Sequence, residues 1–343
     1  MNTNRTTRGF TRVELLVVVV VIAALLVFII PAVNSAREAE RRASCMSREH
    51  MLGVAMQTYA ATFNNRFPPS ASVTKAPDGS TQTVGGWSHL VRLLPFMDWD
   101  SLYKTLPADG DPEDTSNQAI VAAMNTQMRE FICPSSPWRF KPSQSAGITN
   151  YKAMGATTRR SLVMVVNPQA TPPYGTMTPI RGTAPLHPDG TIFPGDGTRC
   201  ADVLDGLSHS IVMIETMDQA ASRWFVGEEA TLVGMPQSSS ATGTTPQPGF
   251  NFFAPPGYET AVARTGLRTF LAYDFSPGGA DAGKYEDPGF GQTPSAYGPS
   301  SMHPAVVICG MGDGSVQVLS KQIDAANLFF LITKNDNDPV YWP

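Results

Sequence analysis

The side chains with the greatest capacity for chemistry are four cysteines and a histidine near the end of the chain. Cys45, Cys133, Cys200 and Cys309 are widely separated and form no Cys-x-x-Cys pair, the spacing that is typical of metal–thiolate sites. The sequence therefore predicts no metal–thiolate site. In an exported domain, four cysteines permit two disulfides with three possible connectivities, and buried free thiols are the alternative.

The histidine, His303, is followed by nine residues and then by Asp313 and Gly314. An imidazole can act as a general base, but the sequence offers no nucleophile or orienting acid at a fitting place. The motifs GxSxG, HExxH and GxxxxGK[ST] are also absent from the sequence. We therefore expect His303 to be structural, bonding a nearby turn backbone or Asp313. We predict no catalytic residue, no cofactor and no enzyme activity.

Two short acidic stretches, residues 109–114 and 335–338, supply the oxygen ligands that calcium prefers. Neither stretch follows a complete EF-hand pattern. Solvated acidic turns are therefore the expectation for both, and no metal site is predicted there.

The N-terminal region has a different character, because an unbroken apolar run extends from Leu15 to Ile30. With Val13 before it and residues 31–33 after it, the run is long enough to cross a bilayer as a helix. Glu14 lies at the start of the run. A carboxylate at that depth costs a few kcal/mol and is normally retained only where it has a partner.

Residues 9–15 read Gly-Phe-Thr-Arg-Val-Glu-Leu. This segment resembles the prepilin-type cleavage and methylation motif of type IV pilins and type II secretion pseudopilins. The resemblance implies that a prepilin peptidase cuts between Gly9 and Phe10 and methylates the new N-terminus. It also implies that Glu14 pairs with the N-terminal amine of a neighbouring subunit, and that an assembly platform extrudes like or related subunits. The alternatives are a plain membrane anchor and a secretory signal peptide that is cut near residues 35–36.

Charge indicates an orientation for this segment. Arg5, Arg8 and Arg12 precede the apolar run, which favours a cytoplasmic N-terminus. Together with the resemblance, this implies an anchor in the inner membrane and a periplasmic or cell-surface head. No basic patch with interleaved aromatic residues is present, so nucleic-acid binding is not expected.

Beyond the apolar run, the pattern predicts that the helix continues over residues 34–63. Cys45, Leu52, Met56, Tyr59 and Phe63 form one apolar stripe. The charged residues expected to lie off this stripe are Arg41, Arg42, Arg48 and Glu49. Asparagines and prolines at residues 64–69 then end the helix.

Near the end of the chain, residues 305–311 and 315–319 predict a β-hairpin around a two-residue turn at Asp313 and Gly314. The register that follows from this turn pairs Met311 with Val316 and Cys309 with Val318 on an apolar face, and we expect this face to meet the N-terminal helix. Other predicted elements are strands at 161–166 and 210–215, a helix at 119–129, and a C-terminal helix capped by Asp324.

Several short segments resemble a second, larger pattern. They include Cys45 in the post-membrane helix, Cys133-Pro134-Ser135, the segment 205–210 before a strand ending at Glu215, and His303 nine residues before Asp313-Gly314. Together they resemble a bacterial family of prepilin-like proteins whose head is a domain of unknown function. The resemblance spans most of the chain and is weakest over residues 233–300.

These observations lead to one expected organisation: a leader at 1–9, a transmembrane segment at 10–33, a continuing helix at 34–63 and a globular head at 64–343. The expected fold is α+β and pilin-like, with the long helix packed on an antiparallel sheet and long loops at 233–300. The expected function is that of a structural subunit of a type IV pilus or type II secretion-type filament. The alternative is a membrane-tethered module that binds a ligand or a protein through those loops.

Overall fold

The chain folds around one long helix and one five-stranded sheet. The computed structural model describes residues 11–75, 82–107, 110–112, 114–136, 146–156, 189–216, 222–234, 299–321, 323 and 325–334. In this part of the chain the α-helices are α1 (Arg12–Thr62), α2 (His89–Leu93), α3 (Asp100–Thr105), α4 (Gln118–Met124) and α5 (Ala325–Ile332). The strands are β1 (Ser72–Lys75), β2 (Gln82–Gly85), β3 (Tyr151–Ala156), β4 (Ile211–Glu215), β5 (Thr231–Val233), β6 (Val306–Met311) and β7 (Val316–Ser320).

Helix α1 has 51 residues and a length of about 75 Å. Its N-terminus is closed by a capping box, in which the Thr11 hydroxyl accepts from the Glu14 N–H and the Glu14 carboxylate accepts from the Thr11 N–H. The apolar window of α1 is entirely exposed, and the helix is long and apolar enough to cross a membrane. Pro31 lies inside the helix, and the left-handed Asn64 and Asn65 follow its end.

The second half of α1 packs on the head as the apolar stripe predicts. Leu52 and Met56 are buried, and Tyr59 stacks on Phe63. The prediction for Glu49 was wrong, because this residue is completely buried. It lies four residues after Cys45 and three before Leu52, so helical periodicity places it within the stripe.

The main sheet has the strand order β5-β3-β4-β6-β7. Strand β3 pairs with β5 in parallel, whereas the other neighbouring pairs are antiparallel. The α+β class is thus correct, but the sheet is mixed rather than antiparallel. A parallel pair needs a longer crossover than a hairpin, and here β4 intervenes in sequence between β3 and β5. Strands β1 and β2 form a separate antiparallel pair.

The β6–β7 hairpin exists, but the predicted register was wrong by one residue. Cys309 pairs with Gln317 and Gly310 with Val316, because the loop contains three residues rather than two. Only Gly314 of the Asp313-Gly314 pair has a positive φ, of 85°. This geometry fits a three-residue loop that ends in a left-handed residue.

The change of register exchanges the two faces of β6 but not those of β7, whose Val316 packs with α1 as predicted. Ile308 and Val316 pack in the core cluster that includes the buried residues of α1, and Gly310 lies against Glu49 of that helix. Cys309 and Met311 instead join the cluster that includes residues of α5. The expected contact between hairpin and helix is therefore present, but β6 takes part in it through the face opposite to the predicted one.

The turn of this hairpin is fastened to α1. Gln57 donates a hydrogen bond to the Gly312 carbonyl, and a ring nitrogen of His50 lies 3.1 Å from the Gly314 carbonyl. A Cβ added at Gly53 would approach the Gly314 oxygen to 2.9 Å. Glycine at position 53 is what allows the helix and the turn to come this close.

The remaining predictions have different outcomes. The strand at 210–215 is β4, and the helix predicted at 119–129 is the shorter α4. The predicted strand at 161–166, Asp324 and almost all of the loops at 233–300 lie outside the described residues.

Candidate functional site

Four titratable side chains from separate parts of the fold meet beneath the buried half of α1. Cys45 lies on α1, Cys133 follows a 3-10 helix, Glu215 is the last residue of β4, and His303 precedes β6. All four residues are buried, and their donor atoms lie within 4.8 Å of one another. We refer to them as the Cys2HisGlu cluster.

The measured distances between donor atoms of the cluster are all short. The two sulfur atoms are 2.9 Å apart, and Cys133 Sγ is 3.3 Å from His303 Nε2. Glu215 Oε1 lies 3.7 Å from Cys45 Sγ and 3.9 Å from His303 Nε2. The cysteines are free thiols, and the distance between their sulfur atoms exceeds a disulfide bond of about 2.05 Å.

Backbone contacts hold the cluster residues in place. The side-chain oxygen of Asn150 accepts from the Cys133 N–H, and its amide nitrogen donates to the Thr216 carbonyl. This buried asparagine thereby joins the loop that carries Cys133 to the end of β4. Pairing of β3 with β4 places Tyr151 opposite Glu215, and the Tyr151 hydroxyl lies 2.9 Å from Cys45 Sγ.

A second layer orients the imidazole. Glu38 Oε1, one and a half to two turns before Cys45 on α1, lies 2.6 Å from His303 Nδ1. Because this carboxylate engages Nδ1, the ring presents Nε2 to Cys133. Arg41 forms an ion pair with Glu38, and the Ser135 hydroxyl lies 3.4 Å from the same carboxylate.

Proton affinities in the cluster are strongly displaced. The bond from Cys45 and the contact with His303 outweigh burial and lower the pKa of Cys133 to about 5. Burial and the neighbouring negative charges raise the pKa of Cys45. Burial opposes protonation of His303, but its bonds to Cys133 and Glu38 raise its pKa. Burial also raises the pKa of Glu215.

This arrangement is capable of three kinds of chemistry. Two thiols, an imidazole and a carboxylate form a donor set for a soft divalent metal ion. Two adjacent thiols can also form a disulfide if an oxidant removes two electrons. The line from Cys133 through His303 to Glu38 matches the order of a nucleophile, a base and an orienting acid. Cys133 and His303 are both buried.

The residues predicted from sequence are distributed over distant parts of the chain. Glu14 is exposed at the start of α1, whereas Gly9 and Phe10 lie outside the described residues. Asp313 is exposed and accepts hydrogen bonds from the Ser315 N–H and hydroxyl. The His303 ring contacts Cys133 and Glu38 rather than the hairpin turn. The expected bond between His303 and Asp313 is therefore not formed.

Only part of one acidic stretch lies within the described residues. Asp114 accepts from the Ser116 N–H in an exposed turn, while Asp109, Glu113 and residues 335–338 lie outside the described part of the chain. The other two cysteines lie outside the cluster. Cys309 is buried on the face of β6 that packs against α5, and Cys200 is half-buried.

Sequence analysis missed the cluster as a unit. Its cysteines, Glu215 and His303 had each been singled out within separate motifs, but no local spacing connects them, because they meet only through the sheet and α1. Glu38 carried no separate signal, since it alternates with arginines as a solvated charge on a helix would. Helical periodicity could have revealed one clue, because the spacing of Glu49 from its neighbours places this charged residue within the buried stripe of α1.

Fold and site together define an α+β protein with one membrane-length apolar N-terminal helix and a buried Cys2HisGlu cluster. A family model described as "Protein of unknown function (DUF1559)" matches residues 34–326, which is most of the chain. The protein therefore belongs to this family. No curated protein and no solved structure matches the chain.

Proposed function

We propose that this protein is a pilin-like or pseudopilin-like subunit, anchored in the inner membrane by the first half of α1 and assembled through it into a filament. The observation that carries the proposal is the exposure of this half-helix. Its apolar side chains are exposed within the described structure, and Glu14 lies at their start. A bilayer or a bundle of neighbouring helices is the environment that such a surface requires.

Glu14 supplies the assembly step of the proposal. Within one chain its carboxylate closes the capping box with Thr11, and it remains exposed. Inside a bilayer this charge costs a few kcal/mol unless it is paired. After cleavage between Gly9 and Phe10, the new amine of a neighbouring subunit is the partner that we propose for it.

The rest of the chain fits the same role. The family is one often seen in prepilin-like proteins, and its match begins at residue 34, immediately after the apolar segment. Because α1 continues without a break into the head, movement of the membrane half during extrusion is transmitted directly to the exported domain. The proposed partners are a prepilin peptidase, an assembly platform and like or related subunits. The proposed role is structural rather than enzymatic.

A Glu14→Gln variant tests this proposal sharply. Glutamine retains the capacity to complete the capping box but cannot pair as an ion with an amine. We expect the variant to be cleaved and inserted normally and to be lost from the sheared filament fraction of its native host. Val20→Ala, in the exposed apolar run, is the matched control and should assemble as the wild type does.

Two readouts decide between the proposal and its alternative. Subunit contacts are measured by cross-linking through cysteines introduced in the first half of α1. Wild-type levels of cross-linking and filament incorporation in Glu14→Gln would contradict the assembly role. That outcome would favour a tethered binding module whose helix only anchors it.

A further inference from the structure

We propose that the Cys2HisGlu cluster is a structural zinc site that fastens α1 to the head. The ligands are Cys45 Sγ, Cys133 Sγ, Glu215 Oε1 and His303 Nε2. This inference goes beyond the proposed function and does not depend on it, because the site lies in the head and requires neither processing nor assembly.

The dimensions of the cluster fit a zinc ion. Ligand atoms at about 2.0–2.3 Å from zinc in a tetrahedron are roughly 3.3–3.8 Å apart. The measured edges are 2.9, 3.3, 3.7 and 3.9 Å, and no ligand atoms are more than 4.8 Å apart. The two sulfur atoms must therefore separate by about 1 Å and the longest edge must contract by a similar amount, which side-chain rotation can supply.

The second layer also has the form that metal ligands require. A histidine that binds a metal through one ring nitrogen usually donates its other N–H to a carboxylate or carbonyl, which fixes the ring. Glu38 engages His303 Nδ1 at 2.6 Å in this way, on the side of the ring away from Cys133. A disulfide between the two cysteines would not explain why Glu38 orients His303 or why Glu215 lies beside the thiols.

Buried polar atoms provide an independent argument. Glu215 is 2 % exposed, and its Oε2 atom has no hydrogen-bond partner within the described structure. A buried carboxylate beside two thiols is costly unless a cation is present or the carboxyl group takes up a proton. Sulfur and nitrogen donors in a closed, buried site favour zinc over calcium or magnesium, which prefer oxygen ligands.

The site has a structural consequence, because its ligands come from four separate elements. Cys45 and the orienting Glu38 belong to α1, whereas the other three ligands belong to the head. A metal ion there joins the helix to the sheet at the point where α1 first becomes buried. It would resist separation of the helix from the head.

The first test is the metal content of the full-length chain, purified in detergent without chelators. We expect one zinc ion per chain by elemental mass spectrometry. Replacement by cobalt should give the visible d–d bands of a tetrahedral site and a near-ultraviolet thiolate-to-cobalt absorption. This measurement needs no variant and so does not depend on whether a mutant folds.

Variants then locate the ion. Cys133→Ser should weaken zinc binding at least about 100-fold, and Glu38→Gln, which disturbs only the orienting carboxylate, about 10–100-fold. Cys309→Ser is the matched control, since Cys309 is an equally buried free thiol on the other face of β6. It should retain one zinc ion. A chelator should lower the melting temperature of the wild type but not that of Cys133→Ser.

Two results would overturn the proposal. In the first, the native chain contains no zinc, takes up no cobalt and carries a Cys45–Cys133 disulfide, seen as a mass two hydrogen atoms lighter before reduction. In the second, zinc is bound but is retained unchanged in both Cys133→Ser and Glu215→Gln, which would make it an adventitious ion only. Neither result bears on filament assembly, so failure of this inference is distinguishable from failure of the proposed function.

Discussion

The two halves of α1 have similar backbone geometry and opposite surroundings. In the first half, Val20 is 58 % exposed and its apolar neighbours are exposed with it, whereas in the second half Leu52 is 0 % exposed. Exposed apolar surface costs about 25 cal/mol per Å² in water. The second half obtains its burial from the sheet, and in our proposal the first half obtains it from lipid or from other subunits. The helix therefore divides into a part that completes the head and a part that is exposed within the described structure.

Each half also contains a carboxyl group in an apolar setting, and the two groups are accommodated differently. Glu14 lies at the edge of the membrane-length segment and requires a partner from another molecule in our proposal. Glu49 is enclosed by the head against Gly310, and burial raises its pKa to about 8. One carboxyl group is available for assembly, while the other is kept neutral by its surroundings.

The largest expected difference between the halves concerns packing. Leu52→Ala should lower the free energy of unfolding of the head by about 2–5 kcal/mol, because it leaves a cavity between α1 and the sheet. Val20→Ala should change it by less than about 0.5 kcal/mol, since Val20 is exposed and lies in the first half of α1. Denaturant unfolding of both variants in the same detergent compares them. Equal losses would contradict the division of α1 into two parts.

The next expected effect is on pH dependence. The folded-state pKa of Glu49 lies above its ordinary value, so the folded chain retains a proton that the unfolded chain releases. This residue therefore contributes stability below about pH 4.5 that is lost as the pH rises towards 8. Glu49→Gln should make stability fall less steeply over this range, by up to about 1.4 kcal/mol per pH unit.

Comparison of the two proteins is essential to that experiment, because the other titratable groups of the head are the same in both. Unfolding of wild type and Glu49→Gln is measured at intervals between pH 5 and pH 9. Parallel curves would show that Glu49 has the same proton affinity in the folded and unfolded states. That outcome would contradict its burial as a neutral acid.

A smaller effect is expected where α1 approaches the hairpin. In Gly53→Ala the new Cβ would meet the Gly314 oxygen at 2.9 Å, and backbone must move to relieve this contact. We expect a loss of about 1–3 kcal/mol from the clash, reduced by up to about 1 kcal/mol through the better helix propensity of alanine. Val54→Ala, at the neighbouring exposed position, is the control. A stabilised Gly53→Ala protein would show that the approach is not tight.

The smallest effect on the head is expected at the start of α1. Thr11→Ala removes half of the capping box and should fray the first turn at a local cost of about 0.5–2 kcal/mol. The melting temperature of the head should not change, because this turn lies in the exposed half and far from the sheet. A shift in head melting would show that the two halves of α1 are energetically linked.

Sequence patterns predicted the parts of this fold that local physics determines. The extent of α1 followed from apolar periodicity, its end from Asn64 and Asn65, and the last two strands from alternation around Asp313-Gly314. The hairpin register was wrong because a three-residue loop and a two-residue loop share the same Asp-Gly signal. One residue of difference exchanges the two faces of a strand.

The Cys2HisGlu cluster was beyond the reach of local patterns for a different reason. Its four residues lie on α1, a loop, the end of β4 and the segment before β6, and only long-range pairing of β3, β4 and β6 brings them together. Each residue alone fits an ordinary structural role. Their chemistry becomes visible only when the sheet order is known.

The most direct test of the central claim is the intact mass and N-terminal sequence of the protein purified from its own membranes. The claim is that the exposed half of α1 is a processed membrane and assembly segment. We predict a chain that begins at N-methylated Phe10 and retains the whole of α1. A chain that begins near Ala36 would contradict the claim, because the exposed half would then be a signal peptide that is absent from the mature protein.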